Sequence, residues 1–326
     1  MSTSSKWDLN CGRPECGRQA LHGDVLGRNL GILCVGSPGF RPGSAPMSRL
    51  VPVVLALLLS GSPLRAETDR MVPIQIDGVA VRLAMQVHTP AGAGPFPTLI
   101  FHHGSTGRGN DPSLFARRFE PAPLIEWFRA RGWAVVLLSR RGRGGSEGEY
   151  DEGFGLPRSA GYSCDPSFSL PGAERALRDI DAATAAILAM PFVDRTRVAV
   201  GGQSRGGILS IAWSGRRPSV VRAAVNFVGG WMGEGCPTAA QINRSLFDRG
   251  GAFGSDTLWL YGDRDAFYSL RHSRANHASF LAAGGRGAFH EFQPGEGRSG
   301  HGIVFAPVLW SEALAVYLRA QGLPAP

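Results

Sequence analysis

From Met71 onward, apolar and polar positions fall into short regular runs. Residues 72–76 and 79–87 are β-rich and flank Asp77-Gly78, a two-residue turn signal, so they predict a hairpin at the edge of a sheet. A continuous apolar strand is expected at 98–101, ending abruptly in His102-His103-Gly104-Ser105-Thr106-Gly107. Residues 112–131 read as mostly helical, interrupted near Pro121 and Pro123 and ended by Gly132, and 133–138 is the next buried strand. A long glycine-rich loop covers 140–171. Ala176, Ile180, Ala183 and Ile187 then place one apolar stripe on a helix over 173–190. A short strand at 198–200 leads into Gly201-Gly202-Gln203-Ser204-Arg205-Gly206-Gly207 and a helix through Trp213. Strands at 221–228, 257–261 and 288–292 follow, with helices near 269–282 and 304–320. Strands alternate with helices throughout. The pattern predicts an α/β fold, a mostly parallel central sheet of about eight strands with helices on both faces. In such a sheet, chemistry collects at the carboxyl ends of the strands.

The front of the chain follows different rules. Residues 47–66 carry Arg49, an apolar run from Leu50 to Leu59 and small or turn-forming residues ending at Ala66. That is the layout of an export signal, although Leu64 stands where a small residue is preferred. The run is too short to span a bilayer, which argues against a stable membrane anchor. Residues 1–46 show neither helical nor strand periodicity and are expected to be a disordered upstream extension produced by a mis-called start. Residues 67–326 then form a single catalytic domain exported to the periplasm or secreted.

This division changes the composition. The whole chain has a formal charge of +8, which by itself raises nucleic acid as a partner, but residues 1–66 hold seven basic and three acidic side chains. Without them the charge falls to +4, with no basic cluster beyond Arg140 to Arg143, and a nucleic-acid partner is not expected. Three of the five cysteines also lie in that stretch. Cys164 and Cys236 remain, either bridged as an exported chain permits or as two separate thiols. Glycine and proline together number 68, enough to demand many turns without low complexity.

Gly202-Gln203-Ser204-Arg205-Gly206 is a G-x-S-x-G between a short apolar strand and a helix, the context in which a sharp turn exposes a nucleophilic serine. The serine needs a base to take its proton. Of the eight histidines, His301 in Ser299-Gly300-His301-Gly302 lies past the last strand, where flexible glycines allow the ring to swing toward Ser204. An acid that orients the imidazole is expected between the two, just past a strand. Tyr261-Gly262-Asp263-Arg264-Asp265 offers two carboxylates, Asp265 as the acid and Asp263 as a turn-capping residue. Backbone amides of Arg205 and Ser105 are expected to form an oxyanion hole, with no metal and no organic cofactor required.

These motifs resemble the α/β-hydrolase superfamily, and within it the dienelactone-hydrolase and prolyl-oligopeptidase-like branch. The resemblance rests on His103-Gly104-Ser105, on Arg140-Arg141-Gly142-Arg143-Gly144-Gly145-Ser146, on Gly202 to Gly206, on the Tyr261 to Asp265 turn and on Gly300-His301. It implies the later carboxylate, Asp265, as the acid. A serine at the nucleophile position resembles the esterases and peptidases of the branch, since dienelactone hydrolases proper carry cysteine there. The Gly142 to Gly148 segment looks like a nucleotide-binding loop but has Glu147 where the third glycine should stand, and it reads as a strand-ending loop.

Two loops, 140–171 and 229–255, should overhang Ser204. Tyr150, Tyr162, Trp231 and Met232 are expected to line an apolar substrate pocket there, and a Cys164–Cys236 bridge would tie its walls together. The expected activity is hydrolysis of a small carboxylic ester through an acyl-enzyme. A serine peptidase for short peptides or acyl-amino acids, and a non-catalytic binding protein of the same fold, are the alternatives.

Overall fold

The computed structural model describes residues 67–325; the expected extension, residues 1–46, and export segment, residues 47–66, lie outside the described residues. The elements in chain order are β1 (Glu67–Ile76), β2 (Val79–His88), β3 (Phe96–His102), α1 (Ala122–Arg129), β4 (Ala134–Leu138), α2 (Pro166–Leu188) and β5 (Val193–Gln203). They continue with α3 (Arg205–Arg216), β6 (Ala223–Phe227), α4 (Ala239–Phe247), β7 (Thr257–Gly262), α5 (Leu270–Ala282), β8 (Gly287–Phe292) and α6 (Pro307–Ala320). One eight-stranded sheet runs β1-β2-β4-β3-β5-β6-β7-β8. β1 and β2 pair antiparallel around Asp77-Gly78, β2 is antiparallel to β4, and every pair from β4 through β8 is parallel. The mostly parallel eight-stranded α/β sheet expected from the sequence is the one observed.

Side-chain alternation along β6 shows how the helices are distributed. Phe227 meets the Trp310 ring of α6 edge-on at 5.3 Å, whereas Asn226 presents its amide oxygen to α3 at Gly207. Neighbouring residues of a strand point to opposite faces, so α6 and α3 cover opposite sides of the sheet. α1 joins α6 through a Trp127–Trp310 ring contact at 5.7 Å. α3 is buried along nearly its whole length, with α2 and α4 packed against it. β4, Ala-Val-Val-Leu-Leu, is buried at every position, as a central strand covered on both faces must be.

Boundaries differ from the expectation at several elements, β1, α2 and α4 among them. β1 begins at Glu67, through residues that are exposed, because its ladder partner β2 reaches back to His88 and pairs the backbone regardless of side-chain polarity. α2 begins at Pro166 rather than 173: Asp165 caps it by accepting from the Ser167 N–H, and Pro166 fits the first helical turn, where no N–H is needed. Pro171 lies inside this helix and masks its start. α4 occupies part of what reads as loop 229–255. Among the described residues no helix is long and apolar enough to cross a membrane.

Candidate active site

β5 ends at Gln203, and Ser204 takes φ 58° and ψ −122° before α3 starts at Arg205. That is a strained conformation for a non-glycine residue, and the surroundings hold it there. The Ser204 N–H donates to the Phe227 carbonyl (3.0 Å), while its own carbonyl accepts from Gly207 (2.9 Å) and Gly230 (3.2 Å). The two glycines of the motif are required by close approach. A Cβ on Gly202 would stand 2.3 Å from the Gly206 backbone, and one on Gly206 would stand 2.0 Å from the His102 carbonyl oxygen. The turn therefore presses β5, β3 and the first turn of α3 together, and it places the N-terminus of that helix beside Ser204.

Asp265 and His301 meet on the far side of the turn. Asp265 Oδ2 accepts from His301 Nδ1 at 2.8 Å, and the Asp265 side chain is fully buried. Its other oxygen accepts from the Phe267 N–H (2.8 Å) and the Tyr268 N–H (3.2 Å), so the carboxylate is fixed by its own turn. The carboxylate draws the imidazole proton to Nδ1 and leaves Nε2 as the acceptor. Asp263 takes a different role, its N–H donating to the Phe292 carbonyl at 2.8 Å.

The glycine before His301 does something other than what the sequence implied. Gly300 has no left-handed backbone; a Cβ there would lie 2.2 Å from the Gly262 carbonyl oxygen. The His301 turn is thus packed directly onto the turn that carries Asp265, and rigid apposition, rather than a swinging ring, brings the two together. Gln203 Nε2 donates to the His301 carbonyl at 3.1 Å and ties this turn to the serine turn.

On the other flank, the loop after β3 lies against Ser204: a Cβ on Gly104 would be 3.0 Å from the Ser204 Cβ. Ser105 follows it. Arg140 and Arg143 brace this loop by donating to the carbonyls of His103 (3.0 Å) and Gly104 (3.3 Å). His103 Nε2 accepts from the Arg140 N–H at 3.1 Å, so its Nδ1 donates to the Gly104 carbonyl at 2.8 Å. Burial, reinforced by the nearby Arg140 and Arg143 charges, holds the His103 imidazole neutral, well below its ordinary pKa.

Beneath this loop sits a buried polar cluster. Glu152 accepts from Arg140 Nε at 2.5 Å and from the Tyr150 hydroxyl at 3.1 Å, with Arg205 Nη1 at 3.6 Å. Burial alone would raise the Glu152 carboxyl; Arg140, Arg205 and Arg143 outweigh it and hold the group below the usual carboxylate range. The Arg205 guanidinium lies between the Tyr162 ring (3.6 Å) and the Trp231 ring (4.1 Å) and donates to the carbonyls of Trp231 (3.0 Å) and Glu152 (2.9 Å). Both long loops are therefore joined through one side chain. Cys164 and Cys236 form a disulfide across the same loops, with Cα atoms 5.6 Å apart.

This cluster corrects part of the expected pocket. Tyr150 and Trp231 are buried at 3% and 1% exposure, their polar atoms turned to Glu152 and to Ser169 Oγ (3.1 Å), so they brace the walls instead of lining them. Met232 is also buried, with its sulfur against Arg205 Nη2, and Tyr162 is half-buried. The exposed aromatic beside His301 is Phe267, ring centroids 4.7 Å apart. Sequence reasoning missed Gln203, Glu152, Phe267 and Tyr268. Phe267 and Tyr268 stand two and three residues past Asp265, and that nearness was the available signal. Among the described residues no group of three or more His, Cys, Asp or Glu is arranged to hold a metal ion.

A family model described as X-Pro dipeptidyl-peptidase (S15 family) matches residues 77–234, a span that includes Ser204 but stops before Asp265 and His301. Among solved structures, an esterase from Pyrococcus furiosus superposes with a TM-score of 0.52 at 14% identity, over 78% of this chain and 90% of that one. An acetyl xylan esterase from Paenibacillus sp. R4 gives 0.53 at 17% identity, over 79% and 89%. An acylaminoacyl peptidase from Pyrococcus horikoshii gives 0.50 at 16% identity, over 74% of this chain and 38% of that larger one. At these identities the likeness is one of fold. With the sheet order and the strained serine turn after the fifth strand, it shows that the chain has the α/β-hydrolase fold.

Proposed function

We propose that the chain is a serine hydrolase that cleaves small carboxylic esters through an acyl-enzyme. The observation that carries this reading is the buried Asp265 carboxylate 2.8 Å from His301 Nδ1, opposite a serine held at φ 58° at the head of a helix. His301 Nε2 takes the proton of Ser204 Oγ as the oxygen attacks the acyl carbon. The backbone N–H groups of Arg205 and Ser105 receive the negative charge that forms on the carbonyl oxygen. His301 then returns the proton to the departing alcohol, and water enters by the reverse of the same steps. Replacing Ser204 by Ala is expected to lower ester turnover by several orders of magnitude with an unchanged melting temperature. Full activity in that variant would overturn the assignment.

A second reading is favoured by the match to the X-Pro dipeptidyl-peptidase model. The same residues would cleave a peptide bond, since His301 can protonate an amine as readily as an alcohol. p-Nitrophenyl acyl esters of graded length set beside proline-containing dipeptide anilides separate the two. Faster turnover of the anilides would make the chain a peptidase.

Export is part of the proposal. The Met47 to Ala66 segment has the signal layout, and the Cys164–Cys236 disulfide fits an oxidising compartment. Mass spectrometry of the native N-terminus tests it, with a mature chain retaining Trp7 as the contrary result.

A further inference from the structure

Tyr268 touches the site at two points. Its backbone N–H donates to Asp265 Oδ1 (3.2 Å), and its ring centroid lies 5.8 Å from that of His301. The residue is buried, and space for its ring is built into the turn after β6. A Cβ on Gly230 would lie 2.3 Å from that ring, and the Gly230 N–H donates to the Ser204 carbonyl. Two other buried tyrosines spend their hydroxyls on backbone carbonyls, Tyr261 on Gly229 (2.8 Å) and Tyr317 on Asp256 (2.7 Å). The hydroxyl-bearing edge of the Tyr268 ring instead packs on Gly230, whose N–H is bonded to the Ser204 carbonyl.

Its direction of approach says which stage of the reaction it serves. The Gly104-Ser105 loop flanks Ser204 from the β3 side, where the carbonyl oxygen would be held. Asp265, His301 and Tyr268 come from the β7 and β8 side, where the departing alcohol must receive its proton from His301.

We propose that Tyr268 is a catalytic residue that holds the Ser204 hydroxyl on the His301 side of the turn at rest and donates a hydrogen bond to the alcohol oxygen as it leaves. This rests on the serine-hydrolase reading above. The proton balance is unchanged. His301 delivers the proton that the alcohol carries away, while the acyl–oxygen bond breaks toward the alcohol and the phenol keeps its own hydrogen throughout. Burial supports the role, because it pushes the Tyr268 phenol above its ordinary range and keeps it a neutral donor at every working pH.

The role has a signature that simple packing lacks. An alkoxide leaving group carries more charge on its oxygen than p-nitrophenolate and needs more help to depart. In Tyr268→Phe, kcat/KM for an ethyl ester is expected to fall roughly 10- to 100-fold, and for the p-nitrophenyl ester of the same acid by less than threefold, with melting temperature unchanged. Gly230→Ala, which displaces the ring without removing the hydroxyl, is expected to show the same unequal loss. Equal losses on the two esters in Tyr268→Phe, or no loss, overturn the proposal while leaving the hydrolase reading intact. If Ser204→Ala hydrolyses both esters at the wild-type rate, the hydrolase reading falls and this proposal falls with it.

Discussion

The turns after β5, β7 and β8 and the two loops that face them are built on different principles. In the turns, each contact is short-range in space and forced by the backbone: Gly202 against Gly206, Gly300 against Gly262, Asp265 accepting from amides two and three residues ahead. In the loops, order comes from pairings between distant residues, Arg140 and Arg205 on Glu152, Tyr162 and Trp231 around Arg205, and Cys164 on Cys236. In the proposed reaction the first construction places the reacting atoms. The second keeps the surroundings dry and still. Damage to the turns should therefore appear in catalysis at constant stability, and damage to the loops should appear in stability first.

Asp265→Asn is the severest way to probe this contrast. With no carboxylate to hold the proton on Nδ1, His301 loses the tautomer that leaves Nε2 free, and kcat is expected to fall by about 10⁴-fold while thermal unfolding stays in place. Steady-state kinetics alongside calorimetry decides it; a large loss of melting temperature would mean that the turns, too, are part of the scaffold. Removing the bridge by Cys164→Ser with Cys236→Ser should act oppositely. The bridge closes a loop of 72 residues, and its loss should cost about 4 kcal/mol of stability, with substrate selectivity relaxed and turnover on the best ester nearly kept. Denaturant unfolding of the double variant measures the first and an ester panel the second.

Glu152→Gln comes next, at about 3 kcal/mol, because it leaves the Arg140 and Arg205 guanidiniums buried without their counter-charge. The smallest effect separates two adjacent arginines. Glu152 has three guanidiniums around it and its carboxyl is depressed, whereas Asp179, 2.6 Å from Arg141 Nε, is raised, since its burial outweighs Arg141. The depressed Glu152 contributes stability that is present above the unfolded carboxylate range and is lost as pH falls through its folded value. The raised Asp179 does the reverse, so stability rises as pH falls from its folded value toward the unfolded one. Asp179→Asn should flatten the rise seen on mild acidification, by less than about 1 kcal/mol, and Glu152→Gln should remove part of the loss seen in stronger acid. Melting temperature against pH for the two variants reads both limbs.

The same contrast governs what could be read in the sequence. The turns were legible because their requirements are local. A strand, two glycines around a serine, a carboxylate two residues past a Tyr-Gly pair and a histidine beside a glycine each leave a mark within a few residues. Even there the reason for Gly300 was misread, since a glycine needed for close packing looks the same in sequence as one needed for flexibility. The loops were not legible. Pro171 hid the start of α2 because a proline inside a helix usually reads as a break, although Asp165-Pro166 had already signalled a cap. α4 went unseen because nine residues hold too few apolar positions to show a period. Tyr150 and Trp231 read as pocket walls because an aromatic in a loop carries no mark of which way it faces; their polar partners decide it, Glu152 two residues on for Tyr150 and Ser169 on α2 for Trp231.

Arg205 belongs to both constructions at once, its amide directly after Ser204 and its guanidinium in the buried cluster. A mutational scan will therefore rank it with the catalytic side chains, although no atom beyond its main chain takes part in the proposed chemistry. Separating the two contributions calls for a change in the polymer itself. An ester linkage in place of the 204–205 amide removes the donor and keeps the arginine, and it is the one edit that would let the two halves of this residue be weighed apart.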